Sequence, residues 1–178
     1  MLRIMFQNVN NLPKHQWQEK SRALFRKIKQ LQPDILGCAE VGLYPPQLST
    51  FDTWENRARN TIAGAGATYA YNSTEMHNKG LLPGGVGMVT TTEATSRMTA
   101  ESDDPENLGR WTSMVFTGKG DHRLRVVTAY NPCRNRGTDA VYEQHLRHLR
   151  RRKDDTPPEK KFQDDLIRAR SGRDCHPV

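Results

Sequence analysis

Three polar side chains that could take part in catalysis or binding lie where runs of apolar and small residues end: Asn8, Glu40 and Tyr130. An unpaired carboxylate is costly to bury. Glu40 is therefore predicted to lie at the mouth of a strand, in an ion pair or on a metal ion. Because open sheets build their sites where strands end, these three residues are the candidate site.

Each of these residues also has an ordinary structural interpretation. Asn8 alone is typical of a turn, and Tyr130 alone is typical of a half-buried strand aromatic. Arg110 fits a structural ion pair as well as it fits a phosphate contact. The combination of strand ends, in order along the chain, is more specific than any one of them.

Strands and helices alternate along the part of the chain that must position these residues. Apolar and β-branched runs predict strands at 2–7, 33–41, 68–72, 86–91, 111–116 and 124–130. Apolar residues at helical spacing predict helices containing Trp17, Leu24, Ile28 and Leu31, then Phe51, Trp54, Ala58 and Ile62, then residues 139–153, and finally Phe162, Leu166 and Ala169. This order predicts an α/β or α+β domain.

Composition narrows the class of protein. The 178 residues suit one domain, and the net charge of +7 favours polyanionic partners such as nucleic acid. No apolar run is long enough for a membrane span, and no secretory signal is visible at the N-terminus. Three widely spaced cysteines fit reduced thiols. We expect an intracellular protein, nuclear or cytoplasmic.

Segments 7–12, 33–41 and 126–132, taken together, resemble the endonuclease/exonuclease/phosphatase superfamily, which includes the DNase I-like nucleases. In that family the first strand reads close to WNVNGL, the second close to PDILxLQET, and a later strand ends in Tyr-x-Pro or Tyr-Pro-Asn. Segments 84–88 and 108–111 are similar to its glycine-led strand and its Gly-Arg segment. The closest similarity is to the endonuclease domains of non-LTR retroelements, which are linked to reverse transcriptases.

The resemblance implies a DNase I-like two-sheet sandwich flanked by helices. It also implies an enzyme that hydrolyses phosphodiesters in DNA with Mg²⁺ (or Mn²⁺). Glu40 matches the family's metal ligand, and Asn8 and Tyr130 match residues that engage the phosphate, with Arg110 as a further phosphate contact. Gln7 stands where the family usually has Trp, and Asn11 stands where it usually has Gly.

Two motifs of the family are missing from the chain: the central Gly-Asp-x-Asn and the Asp-paired His that supplies the general base. Residues 1–170 are therefore expected to be the N-terminal part of a family domain, incomplete at its C-terminus, with 171–178 a polar tail. On that ground the sequence predicts little or no cleavage, an exposed apolar face and an unpaired strand edge. The alternatives are an inactive remnant that binds nucleic acid weakly and a family phosphatase.

Overall fold

A computed structural model describes residues 2–78, 80–120, 122–134, 137 and 140–170, together with the backbone of 176–177. Its strands form two four-stranded sheets, ordered β1-β2-β4-β3 and β7-β6-β5-β8. The strands are β1 (Ile4–Asn8), β2 (Ile35–Ala39), β3 (Gly66–Ala70), β4 (Val86–Thr90), β5 (Met98–Asp103), β6 (Trp111–Thr117), β7 (Arg123–Ala129) and β8 (His176–Pro177).

Five α-helices accompany the sheets in the described part of the chain. They are α1 (Glu19–Leu31), α2 (Trp54–Thr61), α3 (Thr92–Thr95), α4 (Val141–Arg151) and α5 (Pro158–Arg170). None of them combines the length and the apolar character needed to cross a membrane. The predicted two-sheet α/β sandwich flanked by helices is confirmed.

The first sheet is built around β2, in which every residue is buried. Helix α1 carries the chain from β1 back to a parallel position beside β2, and β4 pairs with the other edge of β2 in the antiparallel sense. The register places Asn8 opposite Ala39. The carboxyl ends of β1 and β2 therefore lie side by side at one end of the sheet. This is the arrangement that a site shared between strand ends needs.

The two faces of β2 serve two different cores. Leu36 and Cys38 pack with side chains of α1 and α2, whereas Ile35 packs between the sheets with Met88 and Met114. Burial raises the pKa of the Cys38 thiol to about 12, so this cysteine is an unreactive part of the core. A strand buried on both faces explains why residues 35–39 are continuously apolar or small.

Several features of the chain differ from their predictions. Trp17 lies outside α1 and is 68% exposed, and Phe51 lies outside α2 and is 69% exposed, although both were predicted on buried helix faces. Strand β5 was not predicted, because its sequence is largely polar and a bulge interrupts its pairing with β6. The polar tail predicted at 171–178 lies outside the described residues, apart from the backbone of β8.

Strands β1 and β7 form edges of the two sheets. On β1, Ile4 is 50% exposed and Phe6 is 58% exposed, and both stand in register with residues of β2 that face the second sheet. The predicted exposed apolar face and unpaired strand edge are therefore present in the described part of the chain.

Candidate functional site

Glu40 occupies an unusual backbone conformation directly after β2. Its φ of 51° lies in the left-handed region, which non-glycine residues seldom adopt except at tight turns and functional sites. Hydrogen bonds on both sides hold this conformation: the Glu40 carbonyl accepts from Asn11 N–H at 2.6 Å, and Val41 N–H donates to the Gly85 carbonyl at 3.1 Å. The half-buried side chain thus leaves the strand in a defined direction.

Asn8, the last residue of β1, lies at the same end of the sheet as Glu40. The exposed Asn8 side chain accepts a hydrogen bond from Asn10 N–H at 2.9 Å, and Asn10 and Asn11 are both left-handed, with φ of 45° and 58°. The ammonium of Lys20, on α1, donates to the carbonyls of Asn10 and Asn11 at 2.5 and 2.6 Å. Lys20 therefore stabilises the loop that presents Asn8.

Tyr130 reaches the same place from the second sheet, one residue after β7. It lines the same cleft as Glu40, and burial together with that carboxylate raises the pKa of Tyr130. The phenol consequently stays protonated and acts as a hydrogen-bond donor at neutral pH. Two predicted site residues from different sheets thus line one cleft.

Next to this cleft, the two sheets can approach each other closely because β2 has a glycine, Gly37, where it faces β7. A Cβ atom built on Gly37 would lie 2.3 Å from Thr128 Oγ1 in β7 and 3.3 Å from the Phe6 ring. Thr128 is buried, so it has little room to move aside. Any side chain at position 37 would push β2, which leads to Glu40, away from β7, which leads to Tyr130.

We expect Gly37→Ala to lower the free energy of unfolding by about 1–3 kcal/mol, the usual cost of overpacking, as measured by urea denaturation. Gly137→Ala is the matched control, because a Cβ atom there would meet its nearest neighbour at an ordinary 3.7 Å. Thr128→Ala should restore part of the loss when combined with Gly37→Ala. Equal stability of Gly37→Ala and Gly137→Ala would contradict the close approach.

Arg110, predicted to contact phosphate, is instead enclosed in a buried ion-pair cluster. Its side chain is about 1% exposed. Nε and Nη2 donate to Asp104 at 2.7 and 2.6 Å, and Nη2 donates to Asp165 at 2.7 Å. Burial alone would lower the pKa of Arg110, but the two carboxylates raise it. The geometry therefore favours the structural interpretation, since the guanidinium already has two anionic partners and no open approach.

Arg110 still bears on the site through its backbone. Its carbonyl accepts a hydrogen bond from Tyr130 N–H at 2.8 Å, one residue beyond the last pair of the β6–β7 ladder. The cluster of Arg110, Asp104 and Asp165 therefore holds the backbone from which Tyr130 projects. We place Arg110 among the residues that position the site rather than those that bind its ligand.

A cleft of about 300 Å³ opens beside Glu40 and Tyr130. The sequence did not indicate most of its walls, because they come from distant loops and the start of α4. Glu40 is the one carboxylate among its described lining residues, and none of these is histidine. The lining comprises Asn11, Glu40, Pro83, Gly84, Tyr130, Cys133, Ala140 and Val141. A larger groove of about 960 Å³ lies between the second sheet and α5, away from all three candidate residues.

The donor set can be compared with what Mg²⁺ requires. Within the described residues, no group of three His, Cys, Asp or Glu side chains converges on one point. Mg²⁺, however, is commonly held by one or two carboxylates and completes its shell with waters and substrate phosphate oxygens. A single half-buried carboxylate at an open cleft fits that mode of binding, and Glu40 is the residue that would hold the ion.

Comparison with known proteins bears on the fold. No family model matches the sequence, and no curated protein matches it. The structure is similar to the 3'-5' exonuclease from Neisseria meningitidis, with 15% identity and a TM-score of 0.50, over 97% of this chain and 54% of that one. The DNase I-like two-sheet fold predicted from the motifs is thereby confirmed.

Two further solved structures are similar to a comparable degree. An AP endonuclease from Archaeoglobus fulgidus has 18% identity and a TM-score of 0.47, over 85% of this chain and 49% of that one. An endonuclease/exonuclease/phosphatase family protein from Leptotrichia buccalis has 15% identity and a TM-score of 0.49, over 85% of this chain and 63% of that one. The chain thus spans about half to three-fifths of the length of the structures it matches.

Proposed function

We propose that this chain is a Mg²⁺-dependent (or Mn²⁺-dependent) phosphodiester hydrolase of the endonuclease/exonuclease/phosphatase superfamily that acts on DNA. The observation that carries the proposal is the cleft that Glu40 and Tyr130 line together from two different sheets, at the end of the first sheet where Asn8 also lies. A fold shared with a 3'-5' exonuclease supports the same class of reaction. The motifs favour a retroelement-type endonuclease, linked in longer relatives to a reverse transcriptase.

The residues divide the work of phosphodiester hydrolysis between them. Glu40 would hold the metal ion, and a bound ion would offset the charge that develops on the phosphate oxygens. The protonated Tyr130 hydroxyl and the Asn8 amide donate hydrogen bonds that orient the phosphate. The left-handed backbone at Glu40 and the Lys20 contacts to the neighbouring loop keep these groups in place before substrate arrives.

A second candidate function is binding of nucleic acid without cleavage. Two observations favour it: the net charge is +7, and the described lining of the cleft contains neither a histidine nor a second carboxylate to act as general base. Association with phosphates would then depend on the basic side chains alone and would weaken steeply with added salt.

Because two motifs of the family are missing, we expect slow nicking of supercoiled plasmid. Glu40→Gln should lower its Mg²⁺-dependent part by about a hundredfold or more, the scale expected when a group that offsets transition-state charge is lost. The substitution keeps the size of the side chain and removes its charge. Nicking is measured by gel electrophoresis with Mg²⁺ and with EDTA. Glu93→Gln is the matched control, because Glu93 is 77% exposed on α3.

Equal nicking by the wild type and Glu40→Gln would remove Glu40 from the site. Absence of nicking by the wild type, together with salt-sensitive retention of DNA, would establish the binding function instead. A fall in Mg²⁺ affinity in Glu40→Gln, measured by calorimetry, tests the metal role independently of activity.

A further inference from the structure

Two large aromatic side chains stand out from the surface, although their spacing predicted burial. Trp17 is 68% exposed and Phe51 is 69% exposed, whereas Trp54 and Trp111, the other two tryptophans, are fully buried. Exposing an indole and a phenyl ring forgoes much of the free energy that burying them would contribute. A single exposed apolar side chain is ordinary, whereas neighbouring ones that form a patch mark an interaction surface.

The loops that carry these rings are held together by buried polar groups. Asp52, next to Phe51 and only 6% exposed, accepts a hydrogen bond from Gln16 N–H at 2.6 Å. The buried Arg57 donates to the carbonyls of Pro13 and Lys14 at 2.9 and 2.6 Å. The positions next to Trp17 and Phe51 are therefore tied to each other, and the exposure of the rings is a property of an ordered surface.

Positive charge surrounds the indole along the chain. Residues 14–29 contain six Lys or Arg and one Glu, a net charge of +5 by subtraction. One of these, Lys20, also holds the loop beside Asn8 through its carbonyls, so the basic segment continues directly from the candidate site. A polyanion is the partner that this charge favours.

We propose that Trp17 and Phe51 form a stacking surface for the bases of single-stranded DNA. Every base presents a π-face, so aromatic side chains beside basic residues bind single strands with little sequence preference. The choice of DNA as partner rests on the proposed function, and the surface extends that function from the cleft to the flanking strand. Bases splayed from a strand engaged at Asn8 stack on the two rings while basic side chains contact phosphates.

The test uses intrinsic fluorescence, since Trp17 is the exposed tryptophan. The full chain is titrated with oligothymidylate in EDTA, which prevents metal-dependent cleavage, and affinity is measured in parallel by anisotropy of a labelled oligonucleotide. We expect saturable quenching of the tryptophan emission. Trp17→Ala and Phe51→Ala should each weaken binding about tenfold, the scale of one lost base stack. Trp17→Phe should abolish the quenching and keep most of the affinity.

Met76→Ala is the control for loss of an exposed apolar side chain, because Met76 is 94% exposed; its affinity should equal that of the wild type. Wild-type affinity in both Trp17→Ala and Phe51→Ala, or quenching that persists in Trp17→Phe, would overturn the proposal. Nicking of plasmid by a protein that shows no quenching would contradict the stacking surface but agree with the proposed hydrolase function. Quenching without nicking would contradict the hydrolase function but support the stacking surface.

Discussion

Replacing Arg110 with methionine is expected to lower the free energy of unfolding by about 3–5 kcal/mol, because it removes the partner of buried carboxylates. Asp104 is 2% exposed and Asp165 is 5% exposed, and both bind the guanidinium within 2.7 Å. Methionine fills a similar volume but offers no donor. The unfolded chain hydrates both carboxylates, whereas the folded chain would have to keep them buried.

The loss should come mainly from Asp104. Asp165 also lies 3.4 Å from the ammonium of Lys161 and 3.9 Å from the guanidinium of Arg168, so two cations remain near it in the variant. Among the described residues, Asp104 keeps backbone donors alone, from Glu106 at 3.1 Å and from residue 110 itself at 3.2 Å. Asp104→Asn in the Arg110→Met background should therefore recover more stability than Asp165→Asn.

Urea denaturation measures these differences, with Arg97→Met as the control. Arg97 pairs with Glu93 at 3.2 Å on α3, but both side chains are more than half exposed, and exposed pairs four residues apart contribute only about 0.3–0.5 kcal/mol. A similar small loss in Arg110→Met would show that the cluster does not hold the junction of β5, β6 and α5. Tyr130, whose N–H bonds the Arg110 carbonyl, should then also keep its position.

Acid is expected to destabilise the protein through His145. Burial in α4, reinforced by the positive charge of Arg110, lowers the pKa of His145 from 6.5 to about 3, although Asp104 and the Leu108 backbone act in the opposite direction. Above pH 6.5 the ring is neutral in both states and has no effect. Below pH 6.5 the unfolded chain takes up a proton that the folded chain excludes, so the free energy of unfolding falls by about 1.4 kcal/mol per pH unit.

Urea midpoints between about pH 6.5 and 4.5 report this effect, because ordinary carboxylates titrate near or below the lower limit. Burial raises the pKa of Glu55, so the difference between the wild type and a His145 variant is the quantity that isolates His145. Hydrogen bonding to Arg147, for example, lowers the pKa of Glu75, and its contribution is lost only at more acidic pH. His145→Gln should flatten the dependence in this window whatever its effect at pH 7. His122→Gln, which replaces an exposed histidine, should leave the slope unchanged. A wild-type slope in His145→Gln would contradict the assignment.

Much of the fold could be predicted from local patterns. The apolar run before Glu40 is β2, and the strands predicted at 86–91, 111–116 and 124–130 correspond to β4, β6 and β7 within one or two residues at each end. Such apolar runs predict strands correctly because a run of this length that is exposed to water on neither face has few other stable conformations. Strand β5 was missed since its polar residues become a strand only through pairing with β6.

Helical spacing was a weaker guide to burial. Trp17 and Phe51 continue the apolar periodicity of α1 and α2, yet the chain turns at Asp52 and at residues 13–16 before each helix begins. Long-range hydrogen bonds hold those turns, from the buried Arg57 to the carbonyls of Pro13 and Lys14 and from Gln16 N–H to Asp52. Periodicity along one segment carries no information about a partner more than 40 residues away.

By itself the sequence determined the order of strands and helices, and it placed Asn8, Glu40 and Tyr130 at strand ends. It did so because a strand end can be recognised locally, where an apolar run is followed by polar residues. Only the tertiary structure decided which polar groups meet. It brought Tyr130 and Glu40 to one cleft and enclosed Arg110 between Asp104 and Asp165. It also buried His145 and left Trp17 exposed. Each of these outcomes depends on the distance between two sheets or on an ion pair across the fold, and both are set by packing rather than by neighbours in the chain.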